Sequence, residues 1–383
     1  MFGKRRTYLD YAAGAAGNPS SPHEEGRRAK RILEDARTTI ARLVEVQADD
    51  VIFTSGATEG NALAILGYVR ARRALAGLAT PGRNNMHALY LPSAHASIVE
   101  NMRLLAEEGV TVEPLPMRDY RVDTEALAGI VRPETVLVSM EAVCGETGVV
   151  WNTREVADTL RKARGGGAAA PILLHVDASQ APLTEKITRD HFGADLLVFD
   201  ASKVGPLHGC GALIAHRTIP LAPLYRGGGQ ERGVRPGTEV PELAGKFAAA
   251  LRAAAEDREA FRAAAERHRA DLVSRIKSAL PDVSIQEGRV QAPNVLNLSL
   301  PGRDTDYLVA LLDEAGFAVS TRSACETDSE EGSRAVFALT GDRERALATL
   351  RISWNPRTRG RDLARFAAAL RTAVAFVDSN TQR

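Results

Sequence analysis

The sequence predicts an α/β protein: a mostly parallel, mixed sheet between helices, followed by a smaller C-terminal α/β unit. Three observations carry that reading. Six apolar runs, at residues 51–54, 88–91, 135–140, 172–176, 196–199 and 212–215, have strand length and are continuous rather than alternating. Strands covered by helices on both faces read this way, because neither face meets water. Helical patterns separate the runs, which is the alternation of a parallel sheet. The composition then shifts near residue 240 to a long stretch rich in Ala, Arg and Glu.

Taken in order, the first clear helix carries Ala29, Ile32, Leu33, Ala36, Ile40 and Leu43 at three- and four-residue spacing. Ser21-Pro22-His23-Glu24 ahead of it predicts a capping box with proline at the first helical position. Gly165-Gly166-Gly167-Ala168 predicts a surface loop between a helix ending near Arg164 and the strand at 172. The Ala-rich stretch predicts one helix from about Pro241 to Ala279. Beyond it, strands are expected at 295–300, 317–320 and 350–353, with a last helix over 362–377.

Composition narrows the function classes. The chain has 383 residues, with 49 Lys+Arg against 48 Asp+Glu and a net charge of +1. That balance removes the electrostatic reason for nucleic acid or an anionic membrane as a main partner. Three cysteines leave an odd thiol and no disulfide framework, which predicts a reducing, cytoplasmic setting. The opening residues are basic without an apolar core, so no secretory signal is expected. No run approaches the roughly 20 apolar residues of a membrane span. Lysine is scarce: only 7 occur, at 4, 30, 162, 186, 203, 246 and 277, leaving 49 − 7 = 42 arginines. A reaction that needs an amine has few candidates.

Lys203 stands apart from the other six, which fall in the N-terminal segment, in helical patterns or in a polar connection, where a solvated lysine is the ordinary state. It follows the 196–199 run in Asp200-Ala201-Ser202-Lys203 and precedes Gly205-Pro206-Leu207-His208-Gly209-Cys210-Gly211. Ligands bind at the carboxyl ends of parallel strands; a lysine at an ordinary turn fits the same position. The 172–176 run ends likewise, in His175-Val176-Asp177-Ala178-Ser179-Gln180. Asp177 therefore stands 203 − 177 = 26 residues upstream, one strand–helix–strand step away. An amine and a carboxylate so placed suit pyridoxal phosphate, whose aldehyde takes the lysine and whose ring nitrogen takes the acid. A helix N-cap is the competing reading of Asp177.

Further candidates are weaker one by one. The 51–54 run leads into Ser55-Gly56-Ala57-Thr58-Glu59 and a helical pattern, a turn whose amides and helix dipole suit an anion. Capping by Ser55 or Thr58 accounts for it equally. His95, in Ser93-Ala94-His95-Ala96-Ser97, follows another strand end and alone reads as structural. Residues 226–238 predict a long, flexible, polar loop, either a binding element or plain surface. Cys325 lies in a polar stretch where a thiolate is accessible, whereas Cys144 and Cys210, flanked by small residues, read as packing. His175, His191, His208 and Cys210 lack zinc-ligand spacing, so no metal is expected.

Together these elements resemble the cysteine desulfurases of the class V aminotransferase group, in order along nearly the whole chain. The matching stretches begin with Tyr8-Leu9-Asp10-Tyr11-Ala12-Ala13, Gly17-Asn18-Pro19-Ser20-Ser21-Pro22-His23, Ser55-Gly56-Ala57-Thr58-Glu59, His95 and Glu146-Thr147-Gly148. They continue with His175-Val176-Asp177-Ala178-Ser179-Gln180, Ser202-Lys203, Gly227-Gly228-Gly229-Gln230-Glu231-Arg232-Gly233 and Arg235-Pro236-Gly237-Thr238. Ser323-Ala324-Cys325 and Leu350-Arg351-Ile352-Ser353 complete the set. The resemblance implies the type I fold of pyridoxal-phosphate transferases. Its large cofactor domain would be residues 16–240, and residues 1–15 and 241–383 a small domain carrying the cysteine loop.

The same resemblance implies roles. Lys203 would hold the cofactor covalently and later move the Cα proton. Asp177 would pair with the ring nitrogen and Gln180 with the phenolic oxygen, while His95 would stack on the ring and serve in proton transfer. Ala57, Thr58 and Ser202 would bind the phosphate, with Thr238 reaching in from the second subunit of a homodimer. Arg351 would clamp the substrate carboxylate, with Asn18 a further substrate contact. Cys325 would take the sulfur of L-cysteine, leaving L-alanine, and carry it as a persulfide to an iron–sulfur scaffold or a tRNA-thiolation enzyme. With Cys325 standing 351 − 325 = 26 positions before Arg351, the loop is similar to the longer-loop housekeeping and nitrogen-fixation group.

Two departures touch cofactor contacts. Cys144-Gly145-Glu146-Thr147-Gly148 replaces the usual Asn-Asn-Glu, losing an amide to the phenolic oxygen. Asp200-Ala201-Ser202-Lys203 replaces the usual Ser-x-His-Lys, exchanging a phosphate-binding histidine for a hydroxyl. Altered cofactor electronics or affinity, with the chemistry retained, is the expectation. The rival readings are a selenocysteine lyase, another class V aminotransferase or lyase that does not need Cys325, and a non-enzymatic scaffold.

Overall fold

Strand direction organises this computed structural model, which describes residues 6–15, 17–77, 86–164, 171–321 and 332–381. Lys4, the expected loop at 165–168 and Cys325 lie outside the described residues. In chain order come β1 (Val51–Thr54), β2 (His87–Tyr90), β3 (Thr111–Pro114) and a short hairpin of β4 (Met117–Arg118) with β5 (Arg121–Val122). β6 (Thr135–Glu141), β7 (Leu173–Asp177), β8 (Leu196–Asp200) and β9 (Gly211–Ala215) follow. The main sheet has the order β1-β9-β8-β7-β6-β2-β3. β3, β2, β6, β7 and β8 run parallel, whereas β9 runs against both β8 and β1. Two reversals cancel, so β1 points the same way as β8.

The six apolar runs are all strands of this sheet, and their side chains are buried almost throughout. β3 carries no such run, because Thr111-Val112-Glu113-Pro114 sits at the sheet edge with no buried residue. The first helix, Glu24–Val44, buries Ala29, Leu33, Ala36 and Ile40 on one stripe. Its cap departs from the expected box. His23 rather than Ser21 is the N-cap, its Nδ1 accepting from Gly26 N at 3.2 Å. Ser21 Oγ instead donates to Asp10 Oδ2 at 3.0 Å, and Pro22 lies outside the helix.

One helix, Pro241–Ala279, runs 39 residues, about 58 Å at the α-helical rise. Its first half sets Ala244, Phe247 and Leu251 into the core around the main sheet. Its second half sets Phe261, Ala265, Leu272 and Ile276 into a separate core. That second core backs an antiparallel sheet of β10 (Ser284–Gln286), β11 (Val295–Ser299) and β12 (Thr349–Ser353), closed by the helix Gly360–Thr381. The strand expected at 317–320 shrinks to one bridge, Ser320 with Arg351. Phe317 serves as an anchor instead, edge-on to Phe366 with ring centroids 5.6 Å apart.

The loop at 226–238 is pinned, contrary to the flexible surface segment its composition suggests. Glu231 is buried, and its carboxylate accepts from Arg37 Nη1 and Nη2 at 2.9 and 2.7 Å and from Phe53 N at 2.9 Å. Glu231 and Arg232 take left-handed φ values of 46° and 60°, a conformation held by its surroundings rather than by preference. The Glu231 anchor thus ties the loop to β1 and to the first helix. Arg37→Ala strands that carboxylate, and we expect a cost of about 3 kcal/mol or more in urea unfolding. A loss well under about 1 kcal/mol would contradict the anchor.

Candidate active site

Because β1, β2, β6, β7 and β8 share a direction, their carboxyl ends open on one edge, where α/β sheets bind ligands. A pocket of about 260 Å³ lies there, and Ala57, Thr58, His95, Asp177, Gln180, Lys203 and Arg351 all line it. Ser202 stands beside it, on the wall of an adjoining cleft of about 640 Å³ that shares Lys203. That larger cleft is walled mainly by apolar side chains such as Leu183, Ala254 and Phe261, so the chemistry concentrates in the smaller one. Asn18 and Thr238 are not on the pocket wall. Asn18 closes its own turn, accepting from Ser20 N at 2.9 Å and donating to Ala13 O at 3.2 Å. Thr238 is exposed.

A hydrogen-bond chain links the two residues expected to face the cofactor ring. Asp177 Oδ2 accepts from Asn61 Nδ2 at 2.7 Å, and its Oδ1 accepts from Ser179 N at 2.9 Å. Asn61 Nδ2 also donates to Ser97 Oγ at 2.8 Å, and Ser97 Oγ lies 2.8 Å from His95 Nδ1. Ser97 N donates to that same ring nitrogen at 3.2 Å, so His95 is also the N-cap of the helix Ala96–Glu107. A ring nitrogen that accepts from a backbone N–H carries no proton. Neutral His95 therefore has its proton on Nε2. The structural and chemical readings of His95 coincide, because the cap fixes the tautomer.

Arg351, on β12, reaches the pocket from the second sheet and donates from Nη1 to Gly145 O at 3.3 Å. Gly145 also explains the first departure in the motif. A Cβ added there would meet Gln180 Nε2 at 3.0 Å, so Gln180 fills the space that the missing side chain would take. The second departure has a partner that the motif comparison passes over. Ala57 N donates to Asp200 Oδ2 at 2.9 Å, while Ser202 Oγ donates to Asp200 Oδ1 at 2.6 Å.

Glu141, the last residue of β6, is a further acid that the sequence reading misses. It lies in register with Asp177, is 5% exposed and lines the pocket. Its Oε2 accepts from His95 N at 3.3 Å, while the buried Oε1 has no hydrogen-bond partner among the described residues. Burial, then the charge of Asp177, pushes its carboxyl well above the usual range. Burial and the two acids Glu141 and Glu146 push the Cys144 thiol up as well, so this cysteine is an inert part of the wall.

The donor set fits the ring end of pyridoxal phosphate: an exposed amine at Lys203, a carboxylate oriented by two fixed donors at Asp177, an imidazole and an amide. Among known proteins, the chain matches the aminotransferase class-V family over residues 6–366. It is 32% identical to the cysteine desulfurase IscS 1 of Archaeoglobus fulgidus, over 89% of this chain and 85% of that protein. It is also 32% identical to a cysteine desulfurase of Cereibacter sphaeroides, over 94% and 89% of the two chains. Among solved structures, a NifS-like protein superposes with a TM-score of 0.83 at 26% identity, covering 96% of this chain and 93% of its own. DndA from Streptomyces lividans superposes at 0.73 and 31% identity, covering 90% and 94%.

The Glu141 carboxyl supplies a test of the site's electrostatics. Its raised value means that the folded state holds a proton the unfolded chain gives up. Stability from this group is present below the ordinary glutamate range and is lost as pH rises through the folded value. Glu141→Gln removes that loss. The variant is expected to unfold at a higher urea midpoint than wild type at pH 8 and at nearly the same midpoint at pH 4.5. A lower midpoint at pH 8 contradicts a buried neutral acid.

Proposed function

The chain belongs to the class-V aminotransferase family, and on that footing we propose that it is a cysteine desulfurase working with pyridoxal phosphate. What supports the reading most is the convergence of Lys203, Asp177, His95, Gln180 and Arg351 on one pocket at the strand ends. Arg351, tethered to Gly145 O, offers its guanidinium to the α-carboxylate of L-cysteine. Lys203 Nζ is the amine that would hold the cofactor, and it would serve as the base that takes the Cα proton. The bound cofactor supplies an electron sink for that C–H bond. Asp177, oriented by Asn61 and Ser179, would keep a proton on the ring nitrogen of the cofactor, and His95 presents Nε2–H to the pocket for proton transfer.

Cys325 is the nucleophile of this reading. Its thiolate attacks the substrate Sγ; an S–S bond forms, the Cβ–S bond breaks with its electrons passing to carbon, and Cβ gains a proton on the way to L-alanine. The persulfide then goes to an acceptor protein, an iron–sulfur scaffold or a tRNA-thiolation enzyme. We extend the reading to a cytoplasmic homodimer, in which Thr238 serves the second subunit's phosphate site. In support, Thr238 is exposed and off its own pocket, and Val240 beside it is an exposed apolar residue at 58%. The division into a large cofactor domain at 16–240 and a small domain of 1–15 and 241–383 belongs to the same proposal. Among the described residues, no helix is long and apolar enough to cross a membrane.

The test is Cys325→Ser, assayed with pyridoxal phosphate and L-cysteine for both alanine and protein-bound persulfide. Both are expected to fall by roughly a hundredfold or more, with cofactor binding retained. Full alanine production by the variant would show a lyase or transaminase that does not use the thiol.

A further inference from the structure

The turn expected to take the cofactor's phosphate already holds anions, and they are the chain's own. Ser55 N donates to Glu59 Oε2 at 2.6 Å, and Ala57 N donates to Asp200 Oδ2 at 2.9 Å. Across the cup, Ser202 N and Ser202 Oγ donate to Asp200 Oδ1 at 2.8 and 2.6 Å. Arg235 is paired through its Nε with Glu59 at 3.2 Å. A helix cap accounts for only part of the arrangement. Capping the 3₁₀ turn Ala201–Lys203 uses one oxygen of Asp200, the one on Ser202 N. The other oxygen reaches a different element, 143 residues away in sequence, at the start of the helix Ala57–Ala62.

We infer that Asp200 is a built-in rival for the phosphate of pyridoxal phosphate, occupying with its carboxylate the donors that the phosphate needs. The inference rests on the reading of this pocket as a pyridoxal site. A carboxylate and a phosphate dianion cannot share the same three donors, and at contact distance in a partly desolvated cup they repel. The cofactor therefore binds only as Asp200 gives up Ala57 N and Ser202. Affinity for the phosphate end is lowered, while affinity for the ring end is untouched. The chain should accordingly discriminate weakly between pyridoxal phosphate and pyridoxal, which has the same ring and aldehyde without the anion.

Equilibrium dialysis of cofactor-stripped protein against each compound tests this, in wild type, Asp200→Ser and Asp200→Asn. Both replacements are neutral, and both remain good cap residues, so the turn is kept. The expected result is a gain of about tenfold or more for pyridoxal phosphate in both variants, with pyridoxal affinity within about twofold of wild type. Equal changes for the two compounds, or weaker pyridoxal phosphate binding, would overturn the inference while leaving the pyridoxal reading intact. Failure of all three proteins to bind either compound would overturn both.

Discussion

Strand polarity is the constraint on which the rest of this molecule depends. A strand in a parallel sheet must leave at its carboxyl end, and the residues that follow it are the first free to be polar. Here β1, β2, β6, β7 and β8 point one way, so their five exits meet along one edge. Those exits carry Ala57 and Thr58, His95, Glu141, Asp177, and Asp200 with Lys203. The reversed strand β9 matters as much as the parallel ones, because it lets β1 join the sheet in the same sense as β8. Among the described residues, only Arg351 comes from elsewhere, and a bond to Gly145 O carries it to the same edge.

A pocket built this way concentrates acids. Glu141, Glu146, Asp177 and Asp200 face it, against the cations Lys203 and Arg351. Like charges in a desolvated space cannot all ionise freely, and the donors decide which group yields. Asp177 has two oriented N–H donors, from Asn61 and Ser179. Glu141 has one longer contact, from His95 N, and is the acid pushed towards its neutral form. The same accounting of donors governs Asp200, which captures amide and hydroxyl groups that an external anion could otherwise use.

Much of the fold was legible because burial on both faces writes continuous apolar runs into the sequence, as at 196–199. Edge strands carry no such mark, so Thr111–Pro114 passed unnoticed. Lys203 was legible because so few lysines compete with it, and Asp177 because it ends the neighbouring run. Asn61 and Ser97 were not. Each is a polar residue in a helical stretch, and their role exists only because two helix starts pack side by side over Asp177. The left-handed pair Glu231 and Arg232 illustrates the opposite error, since a glycine-rich polar segment reads as mobile until its buried carboxylate finds Arg37. Asp200 lay in plain view within the lysine motif, but a carboxylate shows its effect only when the donors around it are known.

On the function proposed above, this edge holds a pyridoxal cofactor through Lys203. Borohydride reduction after incubation with pyridoxal phosphate, followed by peptide mass mapping, tests it directly, because reduction freezes the link between the aldehyde and whichever amine holds it. One modified peptide, containing Lys203, is expected, and it disappears on Lys203→Ala. Modification spread over other lysines, or none at Lys203, would contradict it.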